Sequence, residues 1–362
     1  MKRNSNIDKN NGSNFRAFFL AGTFLWLLMC APNMGDAKEG GKIFVVSTLT
    51  DYAAIAREIG GDRVKVAAIA EGDEDPHFVR PKPSYAQKLA RADLFVTTGL
   101  DLELWAPSII DRSQNANIRE GQVGYVAVSD GLNMLEIPAI VDRSQGGVHV
   151  YGNPHIHTSP INAKVAATNI AIGLKKVDPD GEDYYANRLK QFKQQIDERL
   201  FGENLIKILG AKTLTRLAQS GNLIPFIKAK EFKGTKLIDR LGGWLKDMMP
   251  LRGKKIVTYH KNWIYFTELF GFEVIGEVEP KPSIPPSPRD VENLIEMMKK
   301  LDVKVVLAAN YYSEQKINKI CSSVDATPVI VPLSVKGAPK IRTYFDLIDN
   351  WVSMLKAGYG VK

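Results

Sequence analysis

An α/β fold of two lobes, each a mainly parallel sheet flanked by helices and joined by one long rigid helix, is what this sequence predicts. Three observations carry the expectation. Short β-branched and aromatic runs alternate with helix-length segments between residues 43 and 98, a rhythm that needs crossover connections and hence a parallel sheet. The same alternation returns between residues 255 and 331. Between them lies a charged stretch, Glu182 to Glu203, in which Tyr185, Leu189, Phe192, Ile196 and Leu200 recur at spacings of three and four, the period of a single amphipathic helix.

Ile43-Phe44-Val45-Val46 reads as the first strand, Ala53 to Ile59 as a helix closed by Gly60-Gly61, and Val64 to Ile69 as the second strand. Ser84 is placed as the N-cap of a helix running to about Ala92, followed by a strand at Leu94 to Thr98. Beyond the long helix, Asn204 to Pro250 is largely helical in pattern, with turns at Gly210, Gly221 and Gly234 and no evident chemistry. Lys255 to Tyr259 is a strand, Trp263 to Phe270 a helix stopped at Gly271, and Val274 to Val278 a strand. Ser287 caps a helix that has Pro288 in its first turn and runs to about Lys300. Val303 to Ala308 and Val329 to Val331 complete the second set of strands, and the proline-rich run Pro280 to Pro286 is a loop within that lobe. The chain thus divides into a leader (1–37), an N-terminal α/β lobe (38–180), a linking helix (181–203), a helical insert (204–252) and a C-terminal α/β lobe (253–362).

The leader is read from its charge and apolar pattern. Lys2, Arg3, Lys9 and Arg16 precede an uncharged, mostly apolar run of 13 residues, Ala17 to Met29. That is short of the roughly 20 residues a membrane-spanning helix needs and fits the core of a secretory signal peptide. Gly35-Asp36-Ala37 supplies small residues for cleavage before Lys38. Cys30 is the alternative, a lipid-attachment cysteine after Leu27-Leu28, against which bulky Met29 counts. Loss of four basic and two acidic residues with the leader takes the net charge from +8 to +6. The remaining bases are spread along helical faces without aromatic interleaving, which argues against nucleic-acid binding. Only Cys321 would remain, so neither a disulfide nor a multi-thiolate site is available to the mature chain.

The chain has five histidines in 362 residues, and three stand in prepared positions. His77 follows Asp75-Pro76 in the loop after the second strand, His155 follows Asn153-Pro154, and His260 ends the strand that begins at Lys255. Neutral imidazole suits zinc and related divalent ions. Ligands of open α/β sheets collect outside the carboxyl ends of strands, so two facing lobes would bring these residues to one crevice. His149 reads as structural or exposed. His157 lies two residues from His155 and, in an extended segment, would point to the same side, as an alternate ligand ranked below it.

Asp75-Pro76-His77 with Pro83-Ser84 and Ala90-Arg91-Ala92-Asp93-Leu94, Asn153-Pro154-His155 with Pro160, and Tyr259-His260-Lys261-Asn262-Trp263-Ile264-Tyr265-Phe266 with Gly271 together resemble the periplasmic zinc/manganese-binding receptors of metal ABC importers. The similarity covers nearly all of residues 42 to 357 except the insert near 204 to 250. It implies a two-lobed receptor with one long connecting helix, a metal between the lobes, and the ligands His77, His155 and His260. It also implies a permease with a cytoplasmic ATPase as partners. The leader implies an extracytoplasmic location, a monomeric mature chain not inserted in the membrane is expected, and three histidines without a catalytic acid–base motif imply no catalysis. Many relatives add an aspartate from the loop after the last strand; here Val331 to Gly337 holds no acid. Some carry a glutamate where Asn310 stands, and some have a His-rich loop where residues 111 to 148 have no histidine. Water is therefore expected as the fourth ligand. Three imidazoles favour zinc over manganese, which prefers oxygen ligands. The rival readings are an exported zinc hydrolase, for which no His-Glu-x-x-His helix is present, and a metal-binding surface adhesin.

Overall fold

The computed structural model describes residues 41–138, 149–280 and 284–361. The leader with Cys30, and residues 281–283 of the proline-rich loop, lie outside them. The chain runs β1 (Ile43–Ser47), α1 (Thr50–Gly60), β2 (Val64–Ala68), α2 (Pro83–Ala90), β3 (Leu94–Thr97), α3 (Ala106–Ser113) and β4 (Tyr125–Ala127). Two long helices follow, α4 (Pro160–Val177) and α5 (Glu182–Phe201), then α6 (Glu203–Leu209), α7 (Ala211–Gln219) and α8 (Leu223–Ala229). A small hairpin, β5 (Glu231–Phe232) and β6 (Thr235–Lys236), leads to α9 (Gly243–Met248). The second lobe is β7 (Lys255–Thr258), α10 (Ile264–Phe270), β8 (Glu273–Glu277), α11 (Pro288–Lys300), β9 (Val305–Ala309), α12 (Glu314–Val324), β10 (Thr327–Val331) and α13 (Tyr344–Gly358).

Each lobe holds a four-stranded sheet in which every pair is parallel, ordered β2-β1-β3-β4 in the first and β8-β7-β9-β10 in the second. The order is the same in both. The chain steps to one side of its first strand and then crosses to the other, which opens a crevice at the strand carboxyl ends. Strands covered on both faces must be apolar throughout, and β3 and β9 are buried at every position.

Alternation divides the apolar residues between two cores. Val305, Leu307 and Ala309 of β9 face a large cluster, while Val306 and Ala308 face a smaller one with Met298, Ile317 and Cys321. The large cluster is continuous from β1 and β3, through α4 and α5, to Trp263 and Trp351 of the second lobe. Among the described residues, both sheets and the helices between them belong to one packed unit.

Helix α5 is anchored in both lobes. Arg188 Nε donates to the Glu58 carbonyl of α1 at 2.6 Å, while Arg199 pairs with Asp349 of α13 at 2.7 Å and Phe192 packs on Phe345.

Several local expectations need correction. The long helix stops at Phe201, not Glu203, because Gly202 takes φ +78° and its α-carbon lies against Gly242. Helix α2 starts at Pro83 with Lys82 as its N-cap; Pro83 needs no amide partner at the first position. The insert contains the β5–β6 hairpin, whose turn Lys233-Gly234 has φ +50° and +75°, as a two-residue primed turn requires. Ser287 does cap α11, in a reciprocal pair with Asp290. Strand β4 and helices α3, α4, α12 and α13 are additions to the elements read from sequence.

Candidate metal centre

His77, His155 and His260 converge. One ring nitrogen from each lies within 4.8 Å of those of the other two. His77 sits on the loop after β2, His155 on the segment entering α4, and His260 at the carboxyl end of β7, beside the crossover to β9. Two lobes and three distant segments thus meet at one point.

Each imidazole is aimed by its neighbours. His77 Nδ1 lies 2.8 Å from Asp75 Oδ1, which also accepts the His77 backbone N–H at 3.0 Å. The loop is pinned by Trp105, whose indole donates to the Pro76 carbonyl at 2.8 Å. His260 Nδ1 donates to the Glu279 carbonyl at 2.7 Å. Asn153 Oδ1 accepts the His155 N–H at 3.0 Å, and its amide donates across the crevice to the Lys261 carbonyl at 2.8 Å. Tyr265 Oη donates to the Asn153 carbonyl at 2.7 Å. The Asn-Pro-His turn is therefore held from the opposite lobe.

His155 is 0 % exposed, and neither of its ring nitrogens has a partner among the described residues. Burying two such groups unpaired is costly. An ion among them satisfies one; His157 is also buried with neither ring nitrogen partnered among the described residues, so it is the convergence with His77 and His260 that marks His155 as a ligand. Burial, then repulsion from His77 and His260, holds the His155 imidazole well below its ordinary value. Burial likewise lowers His260 to about 4, against the opposing pull of the Glu279 carbonyl. Both rings are neutral near pH 7, as coordination requires.

The remaining histidines differ from expectation. His157 is buried but lies in a 3₁₀ turn, Ile156–Thr158, rather than an extended segment. It packs edge-on against Tyr52 and is outside the convergent set. His149 is neither remote nor simply exposed. Its Nε2 is 3.4 Å from His77 Nε2, and its Nδ1 is 2.8 Å from Asp101 Oδ1. Asp101 follows β3, at the edge of the same crevice. Asn310 donates to the Gly337 carbonyl at 2.8 Å and so tethers the loop after β10. Of these features, only the position of Asp101 just past a strand end carries a signal in the sequence.

The family model for "Zinc-uptake complex component A periplasmic" matches residues 45–199 and 229–358. The chain belongs to this family. It is 27% identical over 185 residues to the manganese ABC transporter substrate-binding lipoprotein PsaA of Streptococcus mitis, covering 50% of this chain and 57% of that protein. In that match, then, the chain spans little more than half of the relative's length. Over a longer alignment it is 24% identical to the protein of the same name from Streptococcus pneumoniae across 344 residues, 94% of each. Among solved structures it resembles a zinc-bound ZnuA lacking residues 138–173, with TM-score 0.64, 21% identity, and coverage of 88% of this chain and 98% of that one. It also resembles a manganese-bound serine-to-alanine mutant of the periplasmic metal-binding protein of Candidatus Liberibacter asiaticus, with TM-score 0.60, 20% identity, and coverage of 87% and 98%. These structures share the two-lobed α/β fold.

Proposed function

We propose that this protein is an extracytoplasmic receptor that captures one divalent metal ion, zinc in preference to manganese, and hands it to a membrane permease driven by an ATPase. His77, His155 and His260 are the ligands in this reading. The observation that carries it is the convergence of His77, His155 and His260, one ring nitrogen of each within 4.8 Å of those of the others, with the buried His155 nitrogens unpartnered among the described residues. All three donors are nitrogens, which favours zinc; manganese prefers oxygen. Family membership supports delivery to an importer, and relatives named as lipoproteins support an extracytoplasmic location. No helix among the described residues is long and apolar enough to cross a membrane. The lobes are taken as 38–180 and 253–362, joined by 181–203, with 204–252 as an insert. The protein acts as a monomer and catalyses nothing.

The test is equilibrium competition for metal between a chromophoric chelator and the untagged mature protein. One zinc per chain is expected, with manganese bound much more weakly. His155→Ala and His260→Ala should each weaken zinc binding by orders of magnitude, while His157→Ala should leave it near the wild-type value. Unchanged affinity in His155→Ala, or metal-dependent hydrolysis of ester, peptide or lactam substrates lost in His260→Ala, would overturn the reading.

A further inference from the structure

We propose that His149 is the fourth metal ligand, with Asp101 as the carboxylate that aims it. The inference rests on the three-histidine reading and puts an imidazole where that reading expects water. The decisive contact is between His77 Nε2 and His149 Nε2, 3.4 Å apart. In each ring the other nitrogen, Nδ1, lies 2.8 Å from a carboxylate oxygen, Asp75 for His77 and Asp101 for His149. A carboxylate only accepts, so each Nδ1 carries its hydrogen, and a neutral imidazole has only one. With both rings in the neutral form that coordination requires, the two Nε2 atoms turn lone pairs toward each other. Two acceptors at that separation repel unless a positive centre lies between them. A zinc ion with bonds of about 2.0–2.1 Å in a tetrahedron holds its nitrogen ligands about 3.3–3.4 Å apart. The two rings already stand at that edge length.

The surroundings of His149 are those of a ligand. A histidine that binds metal commonly gives its second nitrogen to a carboxylate or carbonyl, which fixes the tautomer and the ring plane. His149 has that partner in the same form as His77. Asp101 Oδ2 also accepts the Val150 N–H at 2.9 Å, so the carboxylate holds both the ring and its backbone. Asp101 is itself on a braced turn. Glu103, two residues on, accepts from Thr48 Oγ1 at 2.6 Å and from Thr98 Oγ1 at 2.7 Å, tying the turn to the ends of β1 and β3. His149 falls outside the tightest set of three and is less buried than His77, with side-chain exposures of 14% and 9%. It would complete the tetrahedron from the more exposed side. Four imidazoles give a closed, all-nitrogen sphere. Such a sphere leaves no position for an activated water and sharpens the preference for zinc over manganese.

Zinc X-ray absorption on the loaded mature protein, which counts imidazoles by their outer-shell scattering, tests this directly. Four are expected in the wild type and three in His149→Ala. In chelator competition Asp101→Asn should weaken zinc binding about 10-fold while keeping four imidazoles. His149→Ala removes the ligand rather than its support and should cost about 100-fold or more. His155→Ala reports separately on the underlying site. If it loses zinc while the wild type shows three imidazoles and His149→Ala binds normally, the inference fails and the three-histidine site stands. If His155→Ala binds as the wild type does, both fail. Should His149→Ala not fold, the wild-type imidazole count decides alone, three overturning the proposal and four supporting it.

Discussion

Asp51 carries a prediction that separates the stability of the lobe junction from metal binding. Its side chain is 0 % exposed, on the first turn of α1, and Oδ1 accepts the Val335 N–H of the opposite lobe at 3.1 Å. Oδ2 has no partner among the described residues. Burial raises the carboxyl to about 7, outweighing the nearby polar groups of Ser334 and Val335 that lower it. A carboxyl raised in the folded state favours folding most below its unfolded value near 3.8, and that advantage is lost as pH climbs to about 7. The difference of roughly 3 units, at 1.36 kcal/mol each, comes to about 4 kcal/mol over the full range. Between pH 5 and the plateau above pH 7 the part still to be lost is about 3 kcal/mol. The substitution Asp51→Asn would mimic the protonated acid, with an acceptor for Val335 and a neutral donor in place of Oδ2. In urea unfolding of the metal-free mature protein, Asp51→Asn should exceed the wild type by about 1.5 kcal/mol at pH 5 and by about 4 kcal/mol at pH 8, so that the gap widens by about 3 kcal/mol across that range. Parallel pH profiles for the two proteins, or a variant weaker than the wild type at pH 8, would refute the burial argument.

Three further outcomes are expected. Asp75→Asn keeps the loop but weakens the pull on His77 Nδ1, and should reduce zinc affinity about 10–100-fold in chelator competition with little change in the melting of the metal-free protein. Gly72→Ala places a Cβ 2.4 Å from Gly337 N and from Val335 O; since both contacts are backbone, the loop after β10 must shift, at a cost of about 1–3 kcal/mol in urea unfolding. Helix α5, with neither proline nor glycine from Glu182 to Phe201, should stay straight on metal release. Distances between spin labels at its two ends, measured with and without zinc, should agree, and a change of several ångströms would count against a rigid connector.

What could be read from sequence follows from the range of the interactions involved. Both sheets are legible because parallel strands covered on two faces must be apolar throughout, and Leu94 to Thr97 and Val305 to Ala309 are such runs. The convergence of His77, His155 and His260 is legible because each is preceded by residues that prepare a loop or a strand end. Asp75 and Asn153 act within two residues of the histidine they hold. His149 is not legible, because its partner Asp101 is 48 residues away and nothing local marks it. Gly202 is open to a helical reading because its constraint is the approach of Gly242, 40 residues on in the chain. The turn at His157 is set in part by Tyr344, which donates to its carbonyl from the second lobe, and no periodicity within residues 153–159 reveals that.

The ties between the lobes are concentrated around the histidines. Asn153 orients His155 and bonds to Lys261, the residue after His260. Tyr265 closes the same circuit through the Asn153 carbonyl and also accepts the Leu135 N–H at 3.2 Å. Behind them the apolar core runs unbroken from β1 to Trp351, and α5 is fastened at both ends. A metal arriving in such a frame has no large hinge to close. The favourable free energy of coordination is then offset mainly by small movements of imidazoles already anchored through Nδ1 or the backbone. In the proposed site, selectivity would rest on which ion accepts nitrogens at those spacings, and release on the least buried ring and its carboxylate. In the proposed four-imidazole site, His155 and His260 would hold the ion, and His77 and His149, with Asp75 and Asp101, would admit it.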